Sequence, residues 1–532
     1  MVRAAKDLPE NIDALKQLVS AKEQMLLEKD QRIAVLEEQL QLLMHKRFGA
    51  SSEKASLDQL HLFNEAEATT EQLSEAPAAD AAETIVPEHK RKRPGRRPLP
   101  ADLPRVVVEH DIPEDQKVCP CGGCKKRIGA ETSEQLDIVP PKAQVLQHVR
   151  YKYACPDCEG VEDDGPTVMI APMPPQPIPK SNASPGLLAY IVIAKFLDGL
   201  PLYRLAKIFA RFGVDLGRGT MAGWMIRMGD LIVPLINLMN ETQLSYDILQ
   251  MDETTVQVLK EPGRAATSKS YMWVRRGGPP SRPIILFDYD ASRSGAVPFR
   301  LLSDFKGTLQ TDGYEGYAAT AARDDIVHVG CLAHARRKFD EAVKAQVKNK
   351  TGRGGLARRG FDLIQKIYRI EREARERNLD ADARKQLRDL KAKPLWDELR
   401  KWLDRSIGQV PPRTLTGKAL GYLDKQWPRL IRYIDDGRVE VDNNLTENAI
   451  RPFVMGRKAW LFSDTPAGAN ASARLYSLIE TAKANGLEPY AYLRHVFTEL
   501  PNATTRAEIE ALLPWNIELP CSLGDATRSV AA

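Results

Sequence analysis

The chain has 532 residues, more than one ordinary domain holds, and 43% of them are hydrophobic, which excludes wholesale disorder. Its 76 lysines and arginines stand against 71 acids, for a net charge of +5, but the two signs sit in separate blocks and this segregation matters more than the total. No window approaches ~18 uncharged apolar residues and the N-terminus lacks a signal peptide's apolar core, so a cytoplasmic protein without a membrane partner is expected.

Residues 10–48 carry an apolar seam, Ile12, Leu15, Val19, Leu26, Ile33, Leu36, Leu40 and Leu43, spaced alternately by three and four. Lys22 and Lys29 interrupt it, which costs stability and sets register. A self-associating coiled coil is expected, hence a homo-oligomer of at least two chains; the alternative is an amphipathic helix docked on its own domain. Residues 63–100 are a linker. Its first part, 63–88, is rich in Ala, Glu, Thr and Pro. Its second, "HKRKRPGRRPLP", is a basic arm in which Pro94 and Gly95 forbid a helix. Arg91, Arg93, Arg96 and Arg97 on such an arm can follow a narrow minor groove, or simply solvate a tether.

Five of the seven cysteines fall within residues 101–165. A reducing compartment leaves disulfides out, so they need another role. Cys155 and Cys158 form one CxxC knuckle, and Cys119, Cys121 and Cys124 offer a second. Two knuckles bring four thiolates to a structural Zn2+, with every coordination position filled and none left for catalysis. The first pair is Cys119 with Cys124, Cys121 with Cys124, or Cys119 with Cys121; the expected set is Cys121, Cys124, Cys155 and Cys158.

Residues 180–240 read as helical, with a turn near Gly213 and a second helix from about Thr220, compatible with helix-turn-helix. Arg218 then stands just before that helix, where bases or phosphates are reached. From 245 to 340 the period changes to two. "YDILQMDET", "KSYMWVRRG", "IILFDYD", "GTLQTDGYEGY" and "DIVHVGC" are the expected strands, in an order that matches an RNase H-like core. A charged helical insertion (341–437), the rest of the core (438–485) and a C-terminal module and tail (486–532) complete a multidomain α/β plus α chain.

Two-metal phosphodiester chemistry needs a few carboxylates at the ends of adjacent strands and one from a crossing helix, around ions ~3.5–4 Å apart. Asp252 and Asp312 end expected strands, and Gly313 leaves room beside them. Glu253 should point to the opposite face. Asp288 and Asp290 are rivals, and any one of these acids alone is more simply a turn or ion-pair residue. In "VDNNLTENAIRP", Asn444 reads as an N-cap with Glu447 at the capping-box position and Arg451 one turn on.

"LQMDETTV", "GTLQTDGYEGY", "GCLAHARRKF" and "NNLTENAIRPFVMGRKAWLF" resemble the signature blocks of the insertion-sequence 66 transposases, a DDE group. The N-terminal "KRFGASSEK", "RIGAETSEQLDIVP", "IPKSNASPGLLAYIVIAKFLDGLPLYR" and the tail "SLIETAKANGLEPYAYLRHVF" are similar in the same order, from about residue 10 to 500. The resemblance implies Asp252, Asp312 and Glu447 as first, second and third acids, holding Mg2+ or Mn2+. It also implies DNA partners, namely terminal inverted repeats and target DNA, and accessory proteins of the same element. Cleavage would expose a 3′-hydroxyl that attacks a target phosphodiester. Cys331 and His334 form a CxxH pair similar to motifs near the active site of several DDE groups; metal ligation is one reading, and the expected one is a core thiol at Cys331 with His334 a helper at the site. Arg336 and Arg337, then Arg451, Arg457 and Lys458, would face the phosphate backbone. A non-catalytic repressor and an RNase H-like nuclease without strand transfer are the competing readings.

Overall fold

The computed structural model describes residues 11–48, 107, 143–154, 168–345 and 355–518. The expected zinc ligands and the basic-arm arginines lie outside these residues. A 37-residue helix, α1 (Ile12–Phe48), comes first, followed by the small antiparallel hairpin β1 (Lys152–Ala154) and β2 (Val168–Ile170).

Four helices lead into the sheet: α2 (Pro185–Phe196), α3 (Leu202–Arg211), α4 (Arg218–Leu231) and α5 (Val233–Leu244). Ser184 starts α2, its hydroxyl accepting from Leu187 N–H at 3.1 Å with Pro185 in the first turn. The turn between α3 and α4 passes through Gly213 at φ +75°, a conformation that excludes most side chains. α4 and α5 are apolar because they are core, with Met221, Met228, Leu235 and Met239 fully buried. Among the described residues no single helix is long and apolar enough to cross a membrane.

The central sheet has the order β5-β4-β3-β6-β7. β3 (Ile248–Gln257), β4 (Lys269–Gly277) and β5 (Ile284–Asp290) form an antiparallel meander, while β6 (Gly307–Gln310) and β7 (Ile326–Val329) run parallel to β3. Between them lie α6 (Ala296–Leu301) and α7 (Ala318–Ala321). β6 can begin beside β3 only because residue 307 is glycine: at φ +130°, a Cβ there would sit 2.4 Å from the Asp247 carbonyl oxygen.

After β7 come α8 (Leu332–Ala345), α9 (Leu356–Glu376), α10 (Ala381–Leu387), α11 (Lys393–Ser406) and α12 (Leu415–Leu430). These pack around the fully buried Trp396 and Leu403 as a helical unit with its own core. Inside it, the Glu371 carboxylate receives Arg384 at 2.8 Å and Arg388 at 2.9 Å. The chain then returns to the sheet through α13 (Asn444–Trp460), α14 (Pro466–Ala484), α15 (Pro489–Glu499) and α16 (Arg506–Ala511). α14 covers β5. Its Ser477 hydroxyl accepts from Phe287 N–H at 2.8 Å and Thr481 from Ile285 N–H at 3.0 Å. Those side chains satisfy backbone groups that an edge strand otherwise exposes.

α1 packs on α8, and Glu38 accepts from the Leu415 N–H at 2.8 Å, at the start of α12. The helix therefore docks on its own chain. Its seam residues Ile12, Val19, Leu26, Ile33, Leu36, Leu40 and Leu43 nevertheless stay exposed.

Candidate active site

β3 and β6 are parallel neighbours in a fixed register, with Leu249 opposite Leu309 and Gln250 opposite Gln310. Successive residues of a strand alternate faces, so residues two apart share one. Asp252 and Asp312 each stand two residues beyond a paired glutamine and so emerge on the same side. The glutamines themselves are buried and joined: Gln250 Nε2 donates to Gln310 Oε1 at 2.7 Å.

Helix α13 supplies the third acid. Its N-cap is Asn443, not Asn444, and the Asn443 side chain makes no capping bond. Asn444 is the first helical residue, and its Nδ2 donates to Asp442 Oδ2 at 3.0 Å. The expected capping box is therefore absent, because Glu447 falls at the fourth helical position. Thr446, one residue earlier, donates its hydroxyl to Gln250 Oε1 at 2.9 Å. Gln250 Nε2 also reaches the Asp442 carbonyl at 3.2 Å, and Gln310 Nε2 the Glu440 carbonyl at 2.7 Å. The start of α13 is thus fastened to β3 and β6 immediately behind the three acids.

The electrostatics of the site follow from this convergence. Asp252 is half-buried, and its carboxyl is pushed well above the usual carboxylate range, first by desolvation and then by Glu447, Glu253 and Asp312. Burial also raises Asp312, against the pull of the Tyr314 N–H at 2.9 Å and of Arg293. Three mutually repelling carboxyl groups in a poorly solvated place are a donor set suited to hard divalent cations. Glu253 is committed elsewhere: Tyr317 Oη donates to it at 2.7 Å and Arg293 pairs with it at 2.6 Å. The rivals are committed too, Asp288 to Arg275 at 3.0 Å and Asp290 to Arg300 at 2.9 Å. The space beside Gly313 is taken by the chain itself, since a Cβ there would meet the Tyr422 hydroxyl at 2.9 Å and Gln426 Nε2 at 3.0 Å.

His334, in the first turn of α8, brings Nδ1 to 3.9 Å from Glu447 Oε1, while Arg337 stands 3.5 Å from Glu447 Oε2. Burial, with Arg337 and Lys338 nearby, lowers His334 to about 4, so its ring is neutral near pH 7. Cys331 is buried, its thiol pushed up by desolvation, and its Sγ accepts from Asn443 N–H at 3.4 Å.

The cationic residues divide. Arg218 is exposed and is itself the first residue of α4. Arg336 is only 5% exposed and lies over the Phe361 ring, so it turns into the helical unit and does not face DNA. Arg457 is spent on β3, donating to the Thr255 carbonyl and hydroxyl. Arg451 and Lys458 are half-buried on α13. Gln250, Gln310, Thr446 and Arg293 were not singled out from sequence. A signal for the glutamines existed, because "LQMD" and "LQTD" repeat one pattern around the two aspartates.

Family models match most of the chain in order. The model described as Transposase IS66 family matches residues 180–471, and the IS66 C-terminal element matches 477–515. The chain belongs to the IS66 transposase family. Two further matches are the "Transposase C of IS166 homeodomain" over 35–108 and the zinc-finger binding domain of transposase IS66 over 116–159. The latter segment contains Cys119, Cys121, Cys124, Cys155 and Cys158 and supports a structural zinc. The IS66 chain is 31% identical to uncharacterized protein y4qI of Sinorhizobium fredii, over 98% of its own length and 100% of that protein's. It is also 35% identical to y4jD of the same organism, over 79% of this chain and 81% of that one. No solved structure matches it. A transposase with DNA-binding elements is therefore what this chain is.

Proposed function

We propose that this transposase cuts the ends of its element and joins the resulting 3′-hydroxyls to target DNA, with Asp252, Asp312 and Glu447 as the acids of an RNase H-like, DDE-type core. The observation that carries the reading is that Glu447, from a returning helix, and Asp312, beyond the parallel neighbour strand, both act on the carboxyl of Asp252 on the central strand, in a sheet whose first three strands are antiparallel and last two parallel. Mg2+ or Mn2+ bound there would supply Lewis acidity to the scissile phosphate and make water a better nucleophile at neutral pH.

The residues around the acids divide the remaining tasks. Asp252, whose carboxyl feels both Glu447 and Asp312, would be the central ligand of a divalent ion held there. Asp312 is oriented by the Tyr314 N–H, and Glu447 by the Thr446–Gln250 anchor one residue behind it. Arg337 offers a cation beside Glu447 for a phosphate oxygen. Exposed Arg218, together with Arg91, Arg93, Arg96 and Arg97 of the arm, is assigned to binding the terminal inverted repeats. Cys121, Cys124, Cys155 and Cys158 are assigned to the zinc, and α1 to holding two copies together through its exposed seam. Accessory proteins of the element remain part of the proposal.

Purified protein should nick DNA carrying its terminal repeats only with Mg2+ or Mn2+. Asp252→Asn should abolish nicking and leave binding to the repeats intact. Undiminished cleavage by that variant would sink the assignment.

A further inference from the structure

Among the described residues, one group of metal-ligating side chains gathers tightly, and it is not the three acids. Cys331, His334 and Glu447 each bring a ligand atom within 4.8 Å of the other two. We propose that Cys331 Sγ, His334 Nδ1 and Glu447 Oε1 form a binding position for a transition-metal ion, next to Asp252 and Asp312 but chemically distinct from them. The proposal shares Glu447 with the function above and otherwise stands apart from it.

The backbone sets this position up. Cys331 stands two residues beyond β7, just before α8, and His334 lies three residues on, in the first turn of α8, so the two residues share one short corner. Glu447 comes from the first turn of α13, which packs there because Asn443 N–H bonds to Cys331 Sγ. A point within roughly 2.8 Å of all three atoms follows from their mutual distances, and small rotamer changes reach the ~2.0–2.3 Å of metal bonds to nitrogen and sulfur. His334 Nδ1 is buried with no hydrogen-bond partner, and its 3.9 Å to Glu447 Oε1 is too long for a hydrogen bond. Nitrogen and oxygen ligands of one tetrahedral ion stand roughly 3.3–3.4 Å apart, so a closure of about half an ångström brings the pair onto a common ion.

The donor set decides which ion. Magnesium prefers oxygen alone, whereas thiolate and imidazole together select Zn2+, Co2+ or similar ions. The buried thiol yields its proton to solvent as the ion binds. The resulting thiolate and the carboxylate then carry two negative charges against a divalent ion. The N–H of Asn443 already points at the sulfur and would stabilise its charge. Glu447 divides its oxygens, Oε2 toward Arg337 at 3.5 Å and Oε1 toward His334, so the guanidinium does not occupy the ligand position.

Cobalt tests this without DNA or turnover, so its failure is separable from failure of the transposase chemistry. Full-length protein is first given one equivalent of Zn2+, which outcompetes Co2+ at the cysteine module. A following equivalent of Co2+ should produce a thiolate-to-cobalt charge-transfer band in the near ultraviolet. Cys331→Ser should lose the band, and His334→Gln should weaken Co2+ binding about tenfold or more. Asp252→Asn with Asp312→Asn should keep it. A wild-type spectrum from folded Cys331→Ser would overturn the proposal, as would loss of the band in the double aspartate variant. His334 is partly exposed, so its variant keeps the test open if Cys331→Ser does not fold; unchanged cobalt affinity there also overturns it.

Discussion

Replacing Gln250 by Leu removes one amide and strands three buried groups. Gln310 Oε1 loses its donor at 2.7 Å, the Asp442 carbonyl its donor at 3.2 Å, and the Thr446 hydroxyl its acceptor at 2.9 Å. Gln310 and Thr446 are fully buried, so water cannot replace the lost partner. At about 1–3 kcal/mol for each orphaned group, with partial relaxation, the loss is roughly 3–6 kcal/mol. That is a large part of the ~5–15 kcal/mol that ordinarily holds a domain together. Thr446→Val leaves only Gln250 Oε1 orphaned and should cost about 1–3 kcal/mol. Urea denaturation, with hydrogen exchange read on β3 and β6, measures both. The double variant Gln250→Leu with Gln310→Leu tests the cause: with both amides gone, the loss should fall well short of the sum of the singles. The Gln250→Leu variant should also cleave poorly at saturating Mg2+, since a displacement of about 1 Å at the acids costs on the order of 10²-fold. A Gln250→Leu protein within about 0.5 kcal/mol of wild type, or strictly additive losses, would refute the anchoring role.

Other consequences follow from single sites. Glu371→Gln leaves Arg384 and Arg388 in a buried place without their shared carboxylate, and should lower stability by about 3–5 kcal/mol in chemical denaturation. Gly360→Ala drives a methyl to 2.6 Å from the Trp402 ring and 2.7 Å from Phe339, an overpacking of about 1–3 kcal/mol visible as a lower melting temperature. Asp252, raised by burial and its neighbours, binds a proton more tightly folded than unfolded, so its contribution to ion-free stability falls as pH rises through its folded value. Asp252→Asn should therefore raise the ion-free melting temperature more at pH 8 than at pH 5, and added Mg2+ should shrink that gain. An equal gain at both values would contradict the cause assigned to the shift. Asp442, raised to about 6 by burial, is expected to behave in the same sense below that pH.

Much of the core was legible because its signals are local. Period-two alternation gave the strands, but Asp252, expected to end its strand, lies inside β3, which runs on to Gln257, and Asp312 stands two residues past the end of β6. What was hidden depends on partners far along the chain. Arg336 and Arg337 are adjacent, yet one step of a helix turns a residue by about 100°, which puts Arg336 against Phe361 and Arg337 near Glu447. Nothing in "HARRKF" says that α9 covers one of those directions, so the local sequence points both arginines toward DNA. The same rotation separates two uses of Glu447. With Asn444 as the cap, the glutamate would be the third helical residue and could fold back onto the helix end. With Asn443 as the cap it is the fourth, and Thr446 takes the third place and bonds Gln250. Three asparagines within six residues left the cap ambiguous locally. The long-range bond from Thr446 to β3 resolves it, and in doing so turns a capping glutamate into one available to the site.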